Sequence, residues 1–258
     1  MLDRLRPMTT LAWITFRGSL SGVRGPGLAL GAFLPVLVVA GLLMYGITGL
    51  QLVDAYEVLV DSLFLPFVLL LVTLLLAVPL FREEIDRQSL SYLLTRTIQK
   101  PEIVLGKYLG YLGSAALVLL PPVAVCYGLV AGWGNPPAGI LDGVLPALLA
   151  STFLGILAFG AFYLFLGLVV REALVVGLLY AFVWEFFIGG LTGIAPDLSI
   201  MHYLLSLTQF LVPHGPLSQY STQLTLAQSV AGPLIFAVAL LILTVVAFRE
   251  HGFLPSER

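Results

Sequence analysis

The chain has 258 residues, of which 59% are hydrophobic and only 10% are charged. Soluble domains average about half apolar and about a quarter charged residues, so this composition excludes an ordinary soluble protein and predicts an all-α integral membrane protein. The formal net charge of −2 comes without a strongly acidic or basic run, so no nucleic-acid partner is predicted.

Residues 1–27 combine arginines with regularly spaced apolar residues. The apolar positions from Leu5 to Val23 recur every three or four residues, which places them on one helical stripe. Arg6, Arg17 and Arg24 fall on a line beside this stripe. We expect an amphipathic helix in the cytoplasmic interface, with these arginines bound to lipid phosphates. The alternative interpretation is a basic retention signal without a defined helix.

Six apolar runs are long enough to cross a bilayer core of about 30 Å, which takes about 20 residues of helix. The predicted spans are residues 28–50, 62–81, 107–130, 143–170, 173–191 and 229–248. Residues 192–228 contain an apolar segment, Leu198 to Val212, that is too short and too polar to span. We expect it to form an interfacial or half-inserted, membrane-dipping helix on the outer side.

Small residues recur at the start of the third predicted span. Gly106, Gly110 and Ser114 lie at four-residue intervals, a pattern that permits close contact between helices.

The basic residues predict the orientation of these spans. The connections 51–61 and 131–142 contain no lysine or arginine, which marks them as outside. With both termini in the cytoplasm, all twelve lysines and arginines lie on the inner side. The sequence therefore predicts six spans with cytoplasmic N and C termini.

The stretch from Phe81 to Tyr108 is the long polar interruption in this apolar chain, and residues 82–106 form its loop. It carries five of the twelve lysines and arginines. Ser89 is a suitable N-cap for a short helix from Leu90 to about Thr97, and Pro101 suits the first turn of the next helix. The short helix would present an apolar ridge formed by Leu90, Tyr92, Leu93 and Leu94. Such a ridge predicts a protein partner, whereas the alternative is a solvated connection.

This stretch resembles the corresponding loop of the ABC-2 type permeases, the membrane subunits of one class of ATP-binding-cassette exporter. Their pattern is a Glu, a Gly-Thr pair four residues on, a Leu-Leu pair, a basic or proline-containing turn, and Gly-Lys at the third span. The matching residues are Glu84, Gln88-Ser89, Leu93-Leu94, Lys100-Pro101 and Gly106-Lys107. Gln88-Ser89 departs from Gly-Thr, because it keeps the capping hydroxyl but loses the glycine. The resemblance extends to the segment from Tyr180 to Glu185 and to the overall architecture.

The resemblance implies that the loop is a coupling helix, which docks on a separate ATPase subunit. The implied coupling residues are Glu84, Ser89, Leu90, Leu93, Leu94, Pro101 and Lys107. For Lys107 the alternative ligand is a lipid phosphate, and for Glu84 the alternative partner is Arg87. The resemblance also implies a dimer with a second copy or a paralogue, in the inner membrane of a prokaryote.

The sequence contains no GxxxxGK[ST] phosphate loop. We therefore expect ATP and magnesium to be bound by the partner ATPase, and neither a cofactor nor a catalytic residue in this chain. Met201, His202 and His214 are too few and too far apart to predict a metal site.

Glu185 is a carboxylate well inside the fifth predicted span, and intramembrane ionisable residues are candidates for function. No lysine or arginine lies at comparable depth in any predicted span, so we expect Glu185 to be protonated or hydrogen-bonded to hydroxyl, indole or backbone groups. Its role could be a proton or cation site, a gate, or a structural hydrogen bond to the outer half-helix. Two alternatives to an ATP-driven permease follow: an ATP-independent channel or proton-coupled transporter using Glu185, and a non-transporting membrane assembly subunit.

Overall fold

The computed structural model describes residues 2–21, 24–86, 100–188, 199–212 and 224–250. These residues form α1 (Leu2–Leu20), α2 (Arg24–Ala32), α3 (Leu34–Met44), α4 (Leu50–Ile85), α5 (Lys100–Trp133), α6 (Val144–Val169), α7 (Ala173–Leu179), α8 (Ile200–Leu211) and α9 (Leu226–Glu250). Helix α4 includes a π-helical stretch, Val60–Leu69, and α7 continues as a π-helix, Tyr180–Ile188. The described part of the chain contains no strand, so the all-α prediction is confirmed.

Several helices are long and apolar enough to cross a membrane. Within the described ranges α4, α5, α6 and α9 qualify individually, and α2 with α3 forms a further candidate, bent by 41°. Pro35 lies in the first turn of α3, where its missing N–H interrupts the helical hydrogen bonds and accounts for the bend. The apolar helix from Ala173 is shorter than these. The chain is therefore a multi-pass membrane protein with four to five helices able to span.

Residues 51–61, which we expected to connect the first two spans, belong to a helix instead. Helix α4 has 36 residues and is about 54 Å long at about 1.5 Å per residue. Asp54, Glu57 and Asp61 are spaced by three and four residues, so they share one helical face and leave the opposite face apolar. Leu52 and Tyr56 are buried on that opposite face. The acidic composition of residues 51–61 indicates a loop, whereas the three- and four-residue spacing of the acids fits a helix.

Helix α6 lies at the centre of the bundle. In the apolar 18-residue stretch of α6, 72% is buried, whereas in the corresponding stretch of α9 only 17% is buried. Small residues let its neighbours approach closely: a Cβ at Gly160 would lie 2.1 Å from the Tyr111 ring, and one at Gly167 would lie 2.6 Å from the Val78 carbonyl oxygen. The Tyr108 hydroxyl donates to the Leu157 carbonyl at 2.8 Å. Helices α4 and α5 are thereby fixed against α6.

The small residues at the start of α5 contact α1. A Cβ at Gly110 would lie 2.5 Å from the Ala12 carbonyl oxygen, and one at Gly113 would lie 3.1 Å from the Phe16 ring. The prediction of close helix contact at this face is confirmed. The apolar stripe of α1 therefore packs on α5 at these residues, whereas Trp13 and Ile14 are 62% and 63% exposed. Its interfacial location stays a prediction.

Helix α8 lies inside the bundle, alongside the first half of α6. A Cβ at Gly143 would lie 3.3 Å from the Leu211 carbonyl oxygen, and one at Gly155 would lie 2.9 Å from the Leu204 side chain. The two helices are therefore antiparallel, and the N-terminus of α8 points towards the middle of α6. Helix α8 is therefore packed against α6, and its predicted interfacial or half-inserted position in the membrane stays a prediction.

Candidate functional site

The two ends of the bundle differ in charge. Glu84 and Lys107 lie at one end, which we call the Glu84 end. Gly167, near the end of α6, contacts Val78 of α4, so the turn between α6 and α7 lies at the same end. The described basic side chains at or near this end are Arg17, Arg82, Lys100, Lys107, Arg171 and Arg249. The opposite end holds Trp133, and there the Gly49 N–H donates to the Gly134 carbonyl at 2.7 Å. The basic residues thus cluster at one end of the fold.

Glu84 of α4 and Lys107 of α5 form an ion pair. The Lys107 Nζ lies 2.5 Å from the Glu84 Oε2, and the two side chains are 3% and 31% exposed. The ammonium also donates to the Leu80 carbonyl oxygen and lies 4.6 Å from the centroid of the Phe81 ring. A buried ammonium requires such partners, since burial without them is costly. Lys107 therefore joins α4 to α5 and is not exposed to a lipid phosphate.

The end of α9 packs onto the same place. Lys100 Nζ donates to the Arg249 carbonyl at 3.2 Å, and the rings of Phe81 and Phe248 are 5.6 Å apart between centroids. Phe81 itself is fully buried. Helices α4, α5 and α9 are consequently held together at the Glu84 end by charged and aromatic contacts.

This junction brackets residues 87–99, which we call the connecting segment. The predicted coupling residues Ser89, Leu90, Leu93 and Leu94 belong to this segment and lie outside the described residues. Pro101 lies in the first turn of α5, with Glu102 also in that turn, as predicted for a helix start with an acid at its positive end. The connecting segment therefore follows α4 and precedes α5, close to the Glu84–Lys107 ion pair that links these two helices.

A second polar site surrounds Glu185, whose side chain is only 4% exposed. Its carboxylate accepts hydrogen bonds from the Tyr180 and Ser199 hydroxyls, each at 2.5 Å. It also accepts the backbone N–H groups of Ile200 at 3.3 Å and Met201 at 3.1 Å. Hydroxyl and backbone partners were expected, and both are present. The carboxylate therefore caps the N-terminus of α8 from another helix.

Local backbone geometry produces this cap. Tyr180 and Glu185 are five residues apart in a π-helical stretch, whose wider turn differs from the α-helical spacing and is frequent at functional sites. Ser199 stands at the N-cap of α8, but its hydroxyl donates to Glu185 and makes no cap bond of its own. The negative charge at the positive end of α8 is favourable. This geometry gives Glu185 a structural role in holding α8.

The remaining predicted residues are separate from both sites. Arg17 is exposed on α1, while for Arg6 and Arg24 the structure describes the helical backbone only. His202 lies on α8, and His214 lies outside the described residues. Among the described residues no group of three His, Cys, Asp or Glu side chains could hold a metal ion.

Sequence reasoning missed the two contacts that define these sites. Glu84 and Lys107 are 23 positions apart, counted from their numbers, and no helical spacing links them. For the cap on α8 the sequence offers only a weak indication, namely that Ser199 precedes an apolar helix and that no basic residue accompanies Glu185 in its apolar segment. Only the tertiary structure brings the Glu185 carboxylate to the N-terminus of α8.

The chain matches no protein-family model and no curated protein sequence.

Proposed function

We propose that this protein is the membrane permease subunit of an ABC-2 type transporter. A separate ATPase subunit would hydrolyse ATP and drive export of a substrate that the chain does not identify. The observation that carries the proposal is the Glu84–Lys107 ion pair, because it fastens together the two helices that the connecting segment joins. The match of the loop residues to the ABC-2 pattern supports the choice of this family.

The ion pair makes the connecting segment a suitable place to apply force. A partner that moves residues 87–99 moves the end of α4 and the start of α5 together, because Glu84 and Lys107 link them. Movement also reaches α9 through the Lys100–Arg249 contact and α6 through Gly167 and Val78. An ATP-dependent change in the partner is then coupled to the angle of several helices.

The proposed topology has six spans with both termini in the cytoplasm of a prokaryotic cell, in its inner membrane. It counts α2 with α3 as the first span and α7 with its π-helical continuation as the fifth. The clustering of described basic side chains at the Glu84 end supports this orientation, since cytoplasmic segments are enriched in lysine and arginine. The connecting segment would then face the cytoplasm, where an ATPase is found.

Two copies of the permease, or one copy and a paralogue, would enclose the transport path. The exposed apolar side chains of α7 and α9, such as Phe182 at 47% and Ile235 at 69%, would face the second permease or the surrounding lipid. Tilting of α4 and α5 in each copy would open the path to the outside.

The test is association with a phosphate-loop ATPase encoded beside this chain in its own genome. Co-expressed wild-type permease should co-purify with that ATPase and raise its rate of ATP hydrolysis. Replacing the ridge by Leu93→Asp with Leu94→Asp should abolish both effects without preventing membrane insertion, since two charges are placed in an apolar contact.

The matched control introduces the same two charges at polar positions of the same segment, Ser91→Asp with Thr95→Asp. This variant should retain the complex. An unchanged complex in the Leu93→Asp/Leu94→Asp variant would reject the coupling helix, and vesicle transport without any nucleotide would favour a channel or a proton-coupled transporter.

A further inference from the structure

Three irregular places in the backbone lie at one level of the bundle. Helix α4 is π-helical over Val60–Leu69 and contains Pro66 in that stretch, while α5 contains Pro121 and Pro122. The bend between α2 and α3 lies at Pro35. One small cavity is lined by residues from all three places, namely Pro35, Val60, Phe64 and Pro122. The regular helical backbone is therefore interrupted in neighbouring helices at the same depth.

The irregular places in α4 and α5 lack backbone hydrogen bonds. A proline has no N–H, so Pro121 and Pro122 leave the Leu117 and Val118 carbonyls without their intrahelical donors. Pro66 likewise removes one donor from the π-helical stretch of α4. Sharp bends in helices occur almost always at prolines, at π-helical turns or at glycine and serine pairs. Each of the two helices is therefore weakest against bending at this level, away from both of its ends.

Contacts link α4 to α5 at both ends of the pair. At the Glu84 end the ion pair between Glu84 and Lys107 joins the last turns of α4 to the first turns of α5. At the opposite end the Gly49 N–H, just before α4, donates to the Gly134 carbonyl, just after α5, at 2.7 Å. Because the two helices are held together at each end, a bend in one of them requires a bend in the other.

Helix α6, which packs against both, has no such weak place. It is α-helical from Val144 to Val169, and its one proline, Pro146, lies in the first turn, where a missing N–H costs little. Its backbone hydrogen bonds therefore continue past the level of the cavity. Helix α6 is the rigid element against which α4 and α5 can bend.

We propose that α4 and α5 bend together at Val60–Leu69 and at Pro121 and Pro122, which we call the α4–α5 hinge. The halves of the two helices at the Glu84 end move as one body relative to the halves at the opposite end. For the permease proposed above, the tilting of α4 and α5 is then a bend at this hinge, and that consequence rests on the proposed function. The hinge itself needs only contacts within the chain, so it is tested without an ATPase.

Hydrogen–deuterium exchange of the purified full chain in lipid nanodiscs tests the hinge. Pro121→Ala combined with Pro122→Ala restores two N–H donors to α5 and stabilises its unbent form. Exchange at the unchanged positions of residues 117–126 should slow by about fivefold or more. Because the two helices bend as a unit, exchange in Val60–Leu69 should slow as well, although no residue of α4 is changed.

The matched control is Pro233→Ala, which restores a donor inside α9, at a residue that does not line the cavity. It should slow exchange in α9 and leave Val60–Leu69 unchanged. Unchanged exchange in Val60–Leu69 of the Pro121→Ala/Pro122→Ala variant, or an equal slowing there in Pro233→Ala, would overturn the proposal.

Pro66→Ala tests the same link in the reverse direction and serves if the double variant fails to fold. It restores a donor to α4 and should slow exchange in residues 117–126 of α5. Slowing confined to α4 would show that the two helices bend independently, which would also overturn the proposal.

Discussion

Among the basic side chains that the structure describes, only that of Lys107 is buried. Its ammonium is stabilised by the Glu84 carboxylate, the Leu80 carbonyl and the face of the Phe81 ring. Glu84, by contrast, is about one-third exposed as a whole side chain, although the Oε2 that meets Lys107 is buried. The two residues of one ion pair therefore contribute unequally to the stability of the fold.

This asymmetry predicts the order of stability of two variants. Glu84→Gln leaves a buried ammonium without its counter-charge and should cost about 2–4 kcal/mol. Lys107→Met removes the partner of a buried oxygen on a side chain that is partly exposed, so it should cost less, about 1–2 kcal/mol. The midpoint of thermal unfolding in detergent, compared across both single variants and the double variant, measures the difference.

The double variant should be less destabilised than the sum of the single variants, because the two groups interact directly. Asp54→Asn removes an exposed carboxylate on the same helix and serves as the control. If Lys107→Met lowers the midpoint more than Glu84→Gln, the ion pair does not stabilise Lys107 in the way described.

At the scale of the elements, α8 is a short helix whose N-terminus lies within the bundle. The N–H groups of its first turn lack partners in their own helix, as in any α-helix. Glu185 accepts two of them and also the Ser199 hydroxyl, so α7 and α8 are joined by one carboxylate. Gly155 of α6 allows Leu204 of α8 to pack closely on the other side. The position of α8 thus depends on a charge from one helix and a small residue from another.

Removing this carboxylate should loosen the start of α8. In Glu185→Ala the Ile200 and Met201 N–H groups lose an acceptor worth about 1 kcal/mol or more each, so their hydrogen exchange should accelerate by about fivefold or more. Glu185→Gln keeps one acceptor oxygen and should have an intermediate effect. Hydrogen–deuterium exchange with mass spectrometry of the α8 peptide measures this.

Glu172→Ala removes an exposed carboxylate at the start of α7 and should leave exchange in α8 unchanged. Unchanged exchange in Glu185→Ala would reject the capping role. Loss of transport in Glu185→Gln with normal protection of α8 would instead favour the proton-coupled alternative.

At the scale of the whole molecule, the distribution of charge distinguishes the two ends. Arg171 is exposed at the Glu84 end, between α6 and α7, and Trp133 is 74% exposed at the opposite end. In the proposed topology the Glu84 end faces the cytoplasm, because the positive-inside rule favours lysine and arginine there. The sequence has one cysteine, Cys126, which is buried. A Cys126→Ser background therefore provides a chain without native labelling sites.

Cysteine labelling tests this orientation in intact cells. A membrane-impermeant maleimide should label Trp133→Cys from outside and should label Arg171→Cys only after the cells are permeabilised. Labelling of Arg171→Cys from outside in intact cells would invert the proposed topology and place the connecting segment out of reach of ATP.

The amino-acid sequence alone determined the all-α, multi-pass membrane class of the protein and the approximate location of α4, α5, α6 and α9. The reason is that crossing a bilayer requires about 20 apolar residues per helix and satisfied backbone hydrogen bonds, and both requirements are local. The close contact at Gly110 and the position of Pro101 in the first turn of α5 were predictable for the same reason, since each depends on residue type and spacing within one helix.

Only the tertiary structure decided what those helices contact. The partner of Gly110 is α1, the partner of Lys107 is Glu84, and Glu185 caps a helix that begins 15 positions later. The burial of Leu52 and Tyr56 on α4 is likewise visible only in the tertiary structure. These contacts join residues that no periodicity relates, because they depend on how small residues and charges of different helices fit when the helices pack.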